Sequence, residues 1–290
     1  MLEVHHFAYG WINPVIGYAM SFLGSLLGLV LAGRVREVGG ARRLRWLAAA
    51  ALALGGTGVW LMQFMALLGF DVSGTMLRYD LRFVAASALI AVLVAAVGLL
   101  VVCTGRHPVP RVVLGGLVTG LGLVATHAVA VAGVRLGGRI SFDGRLMGLS
   151  AVIAVIAATL ALGAVVTVRD ARETVGAAVL TAVAVCSAHY SAMASVRVTA
   201  NPDLTATGVS PFVLLVPICI LATVVIAALA LGTVGVALHQ ENARADALLT
   251  PANPPDNPSR RDNPSRSDHP SQADNPSRSG RPEPVGQPPR

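Results

Sequence analysis

Lysine does not occur in this 290-residue sequence, acidic side chains number only 15, and the three cysteines form no CxxC pair. Each shortage removes a class of function. The positive charge rests wholly on 22 arginines, a net +7 spread over loops and a polar tail. That is not the clustered footprint of a nucleic-acid binder, and no nucleic-acid partner is expected. Cys103, Cys186 and Cys219 fall in apolar segments, which argues against a disulfide framework or structural zinc and suits small buried apolar residues. GxSxG, HExxH and Walker patterns are missing, and the acids sit in loops, so neither an enzyme nor an ion-coupled carrier with a buried carboxylate is expected. What remains is 54% hydrophobic and 13% charged, the composition of a membrane protein whose first partner is the lipid bilayer.

Crossing roughly 30 Å of hydrocarbon takes about 20 helical residues. Runs of that kind occur at 13–32, 46–69, 83–103, 111–133, 147–168, 174–195 and 211–237, which predicts an all-α polytopic protein with seven transmembrane helices over 13–237. The start, MLEVHHFAYGW, lacks the basic segment of a cleavable signal, so residues 1–12 read as an external N-terminus before a retained first span. Arg34, Arg36, Arg42, Arg43 and Arg45 face a lone Glu37 between the first two spans. By the positive-inside rule that connection is cytoplasmic, which puts the N-terminus outside and the C-terminus inside a bacterial cell membrane.

The chain repeats itself. GTGVWLMQFMALLGF at 56–70, GLVATHAVAVAGVRL at 122–136 and VAVCSAHYSAMASVR at 183–197 are small-residue helices with one polar residue near the end. Gln63, His127 and His189 are then equivalent, and the spacing gives one N-terminal helix plus three duplicated pairs, 46–103, 111–168 and 174–237. All three positions lie on outward-running helices at one depth, as a site built from several helices requires. Ionisable residues inside membranes generally face the bundle and mark function. His189 and Met193 are i and i+4, so imidazole and thioether share a face and suit a soft ion, copper above all. Further ligands would come from His127, from Met62, or from His5 and His6 just outside the first span. Each has a plainer reading beside it: His189 and His127 as hydrogen-bonded packing residues, Met62 as a gap-filler, Gln63 as an interhelical hydrogen-bonder, His5 and His6 as interfacial.

AHYSAM at 188–193 keeps the His, Tyr and final Met of a Met-His-Tyr-Thr-Gly-Met element. MQFMAL at 62–67 keeps a Met and a Phe, and THAVAV at 126–131 keeps the His. In these elements, and in their threefold occurrence on outward helices, residues 10–235 resemble the MHYT-domain family of bacterial integral-membrane sensors. The resemblance implies a copper site near the outer face, oxygen, carbon monoxide or nitric oxide as its signal, and coupling to a cytoplasmic output protein.

Three functions of different classes follow. The first is a non-enzymatic sensor or metal-binding protein; the second is a transporter or channel for a small solute or metal, since duplicated helix pairs also build transporters. The third is a metal-free structural subunit whose small-residue helices, such as GGLVTGLG at 115–122, pack with partners or with further copies of the chain in a homo-oligomer. The tail, 238–290, carries DNPSRR, DNPSRS, DHPSQA and DNPSRS in succession and is expected to be disordered and cytoplasmic.

Overall fold

The computed structural model describes residues 4–5, 10–104, 108–201 and 206–249. The all-α, seven-span architecture expected from the apolar runs is the one observed. The helices are α1 (Ile12–Glu37), α2 (Gly40–Ala51), α3 (Met62–Leu68), α4 (Leu81–Cys103), α5 (Pro108–Ala132), α6 (Gly144–Thr167), α7 (Ala171–Ala194) and α8 (Pro211–Leu249). A π-helical stretch, Leu52–Leu61, joins α2 to α3, so these three pieces make the second span. Such i→i+5 turns are rare and concentrate at functional sites; this one runs into Met62 and Gln63. The described residues up to Asn242 form one compact unit. Helix α8 stays helical over 238–249, a stretch assigned to the tail in the sequence, because HQENARADALL is rich in good helix formers. The repeats of the tail, from 250 on, lie outside the described residues.

Six of the spans close a ring, in the order α1, α2–α3, α4, α5, α6, α7 and back to α1. Small residues permit it. Gly17, Ser21, Gly24, Ser25 and Gly28 are buried along one face of α1, and a Cβ added at Gly24 would collide with the backbone of Gly58 in the π-helical stretch. A Cβ at Gly120 of α5 would likewise strike Val155 of α6. Helices approach this closely in membranes because dispersion between backbones, and not the hydrophobic effect, holds them together. Helix α8 lacks such a stripe and lies outside the ring; Leu214 and Ile218 are its buried contacts. The duplication and the ring are therefore cut differently. Reading along the chain, the first helix of each copy pairs with the one after it; in space, α1 takes the place beside α7 that α8 would fill.

The two ends of the ring differ. Between α1 and α2 only Val38 and Gly39 are non-helical, so most of the arginines expected in a loop sit on helix ends. There they cap carbonyls: Arg36 donates to Val165 and Val166 at the end of α6, Arg43 to Cys103, and Arg111 to Val101. Cations at helix C-termini satisfy orphan carbonyls and complement the helix dipole. At the opposite end, three connections expected as loops pair into short antiparallel ribbons: β1 (Val4–His5) with β2 (Asp71–Val72), β3 (Arg78–Tyr79) with β4 (Val134–Arg135), and β5 (Gly138–Phe142) with β6 (Val196–Ala200). Two strands are five residues long and four are two, too short to leave a period-2 signature. Asp80 and Asp143 cap α4 and α6, and each meets an arginine from the partner strand of the ribbon it adjoins, Arg135 at 3.0 Å and Arg197 at 3.6 Å.

Candidate functional site

Gln63, His127 and His189 each lie five residues before the end of their helix at the ribbon end, on α3, α5 and α7. At 1.5 Å per residue the three share a depth of about 7.5 Å below the helix ends. All are buried, with exposures of 4%, 4% and 5%. They line one cavity of about 30 Å³, together with Met62 and with Ser150 and Ala154 of α6. The two imidazole rings meet edge to face, centroids 5.2 Å apart, and His189 also meets the Tyr190 ring at 5.3 Å. The equivalence drawn from spacing thus holds in space.

The walls are set by small residues and backbone locks. Ser150 Oγ donates to the Ala188 carbonyl at 2.7 Å, tying α6 to the turn that carries His189. Thr126 Oγ1 donates to Gly122 O, 2.9 Å, one residue before His127. Behind α3, Trp60 donates to Ser87 Oγ at 3.0 Å and stacks on Phe64 with centroids 5.5 Å apart. Towards the ribbons an apolar cluster closes over the site, with Phe64, Tyr79, Val131 and Val196 in it. Tyr79 anchors that lid by donating to Leu67 O at 2.9 Å.

Inside the cavity the polar groups are not saturated by protein. Among the described residues neither ring nitrogen of His127 has a hydrogen-bond partner, nor has Gln63 Nε2. A buried donor or acceptor left unmade costs about 1–3 kcal/mol, so a ligand or a water is called for here. Two imidazoles, a thioether and a carboxamide face the void. Among the described residues there is no group of three or more His, Cys, Asp or Glu that could hold a metal. The donors that could hold a small ligand or ion here are the two imidazoles, the Met62 thioether and the Gln63 carboxamide.

Of the site residues expected from sequence, His127, His189 and Met62 come together. Met193 does not line the cavity. One turn nearer the ribbons than His189, it is 3% exposed and packs in the apolar lid, since a four-residue step advances the side chain about 6 Å along the helix. His5 pairs through its backbone with Asp71 across the first ribbon; His6 lies outside the described residues. Sequence reasoning missed Ser150 and Ala154, yet a signal was present. Ser21, Ser87 and Ser150 recur at about the repeat spacing, one on each of the ring helices α1, α4 and α6 that run away from the ribbons, and all are buried.

The family profile MHYT, described as a bacterial signalling protein N-terminal repeat, matches residues 56–115 and 120–178. The chain is similar to the bifunctional diguanylate cyclase/cyclic di-GMP phosphodiesterase MucR of Pseudomonas aeruginosa, 33% identical over 195 residues that cover 66% of this chain and 28% of that protein. The cyclic di-GMP phosphodiesterase NbdA of the same organism is 30% identical over 206 residues, 63% of this chain and 26% of NbdA. An uncharacterized signaling protein of Caulobacter vibrioides is 27% identical over 194 residues, 66% of this chain and 23% of its own length. The chain thus spans about a quarter of the length of these curated relatives. No solved structure matches it.

Proposed function

Because the chain belongs to the MHYT family of bacterial membrane signalling repeats, we propose that it is a sensor whose input site is the cavity of Gln63, His127 and His189, and that this cavity takes a copper ion, or a diatomic gas through it. A membrane signalling role follows from the family. The ligand rests on one observation: His127, 4% exposed and with both ring nitrogens unbonded among the described residues, faces the same void as a second imidazole and a thioether. His127, His189 and Met62 would hold the ion; Gln63 occupies the repeat position that carries histidine in the other two copies. Bound there, Cu(I) would supply an electron-rich centre for a small π-acceptor gas, while the apolar lid keeps water and larger ligands out.

The names of the longer relatives describe cyclase and phosphodiesterase activities, and MHYT is their sensory part. We infer that this chain reports to a separate output protein on the arginine side. The junction of α1 and α2 at that end carries Arg34, Arg36, Arg42, Arg43 and Arg45 against a lone Glu37, whereas at the ribbon end Arg78, Arg82, Arg135, Arg139, Arg145 and Arg197 are interleaved with Asp71, Asp80 and Asp143, and Arg135 and Arg197 are held in ion pairs. This asymmetry supports the ribbon end outside and the arginine end in the cytoplasm of a bacterial cell membrane.

Copper analysis of protein purified with Cu(I) tests the reading. Stoichiometric copper is expected in the wild type and its loss in His127→Ala and His189→Ala; equal copper in all three sinks it. A second reading is favoured by size, since a void of about 30 Å³ admits a single water. That water would bridge Gln63 and His127. Gln63→His separates the two readings: a third imidazole tightens copper retention if the site is for metal and leaves it at background if the occupant is water.

A further inference from the structure

At the arginine end a cleft of about 510 Å³ opens between the last turns of α1 and α6 and the first turn of α7. This lies at the other end of the bundle from the histidine cavity and shares no residue with it. Arg36, Arg169 and Thr174 stand at the rim, with Leu29, Val30 and Val165 along the wall. Glu37 is also at the rim, but Arg34 holds its carboxylate at 3.2 Å, so the rim keeps two arginines against an acid that is already paired. Arg36 spends Nη1 on the Val165 and Val166 carbonyls, 3.1 Å each, and its Nε and Nη2 donate to no described residue. Arg169 is fixed through its backbone, whose N–H donates to Glu173 Oε2 at 2.9 Å, and its side chain makes no hydrogen bond among the described residues. The wall runs out onto the lipid-facing side: Val30 is 42% exposed, and a Cβ built on Gly33 would touch nothing within 4 Å.

Guanidinium forks match phosphate oxygens in charge and geometry, and basic pockets between spanning helices near the membrane surface suit anionic headgroups. A volume of this size falls within that of small-ligand sites, about 300–1,000 Å³. A soluble phosphate would use the arginines and ignore the apolar wall; a phospholipid uses both. We propose that the cleft binds one anionic phospholipid, its phosphate on Arg36 and Arg169 and the first acyl carbons along Val30 and Gly33. The lipid then bridges α1 to α6 and α7, where the ring closes.

Native mass spectrometry of the full chain, released from neutral detergent in the presence of phosphatidylglycerol or phosphatidylcholine, reads lipid bound to folded protein. Retention of phosphatidylglycerol over phosphatidylcholine is expected. Arg169→Gln, which removes no hydrogen bond of the fold, should weaken that retention roughly fivefold, and Arg36→Gln with Arg169→Gln by roughly twenty-fivefold. Because Arg36 also caps α6, Gly33→Phe serves as an independent variant: it fills the wall, keeps both arginines, and should abolish retention. Equal retention of the two lipids by the wild type, or unchanged phosphatidylglycerol on Arg169→Gln and Gly33→Phe, overturns the proposal. So does glycerol phosphate competing as well as the lipid, which would make the cleft a site for a soluble phosphate.

Discussion

The two ends of the helix ring handle polar side chains in opposite ways. At the ribbon end Gln63 and His127 are buried with polar atoms that no described residue satisfies; at the arginine end Arg36 and Arg111 reach carbonyls that helix ends leave open, and so does Arg43, although its Nε is buried without a partner among the described residues. The first arrangement costs stability and the second adds it. A polar group that destabilises the empty protein is what a binding site looks like before its ligand arrives, and the contrast teaches which polar residues to assign to function.

The largest effect expected concerns the scaffold that both ends share. Gly24→Leu drives a side chain into the backbone at Gly58, and about 3 kcal/mol or more should be lost; thermal unfolding in detergent would show the melting point fall sharply, and an unchanged one would mean that α1 does not close the ring as described. Next is the arginine end. Arg43→Leu removes the charged donor from Cys103 O and should cost about 1–2 kcal/mol, read by the same melt. The ribbon end should answer in the other direction: His127→Leu takes away two unmade hydrogen bonds and should raise the stability of copper-free protein by about 1 kcal/mol while ending copper binding. If both substitutions destabilise alike, the contrast between the two ends fails.

The smallest effect is electrostatic. The Arg135 guanidinium, and after it the backbone N–H of Arg82, hold the Asp80 carboxyl below its ordinary value of 3.8. A carboxylate with a folded-state pKa below its unfolded one adds stability above about pH 4 and loses it as pH falls through the lower, folded value. Asp80→Asn should therefore flatten the acid limb of a melting-point profile below pH 4, and an acid limb of unchanged slope would remove this ion pair from the account.

Much of this was legible in the chain. The seven apolar runs coincide with the seven spans to within a few residues, except where charged residues continue a helix, as in Arg34–Glu37 and Gly40–Arg45. Hydropathy ends where charge begins; hydrogen bonding along the backbone does not. The equivalence of Gln63, His127 and His189 was legible too, because a duplicated helix keeps the distance from residue to helix end, and that distance fixes depth. The ribbons were not. Strands of two to five residues owe their existence to the neighbouring connection, and β3 pairs with a segment more than fifty residues away.

Sequence by itself determined the class of the protein, the number of its spans and the depth of its three polar positions, since each follows from composition or from spacing along one helix; its likeness to a signalling family rested on the motif residues at 62–67, 126–131 and 188–193. Only the tertiary structure decided which helices meet. It put α1 into the ring and α8 outside, brought Ser150 and Ala154 of α6 to the cavity wall, and seated Met193 in the apolar lid rather than in the cavity lining. The reason is that rotation of a helix about its axis and the choice of its neighbour are settled by close packing of small residues from different parts of the chain, which a periodicity within one segment does not record.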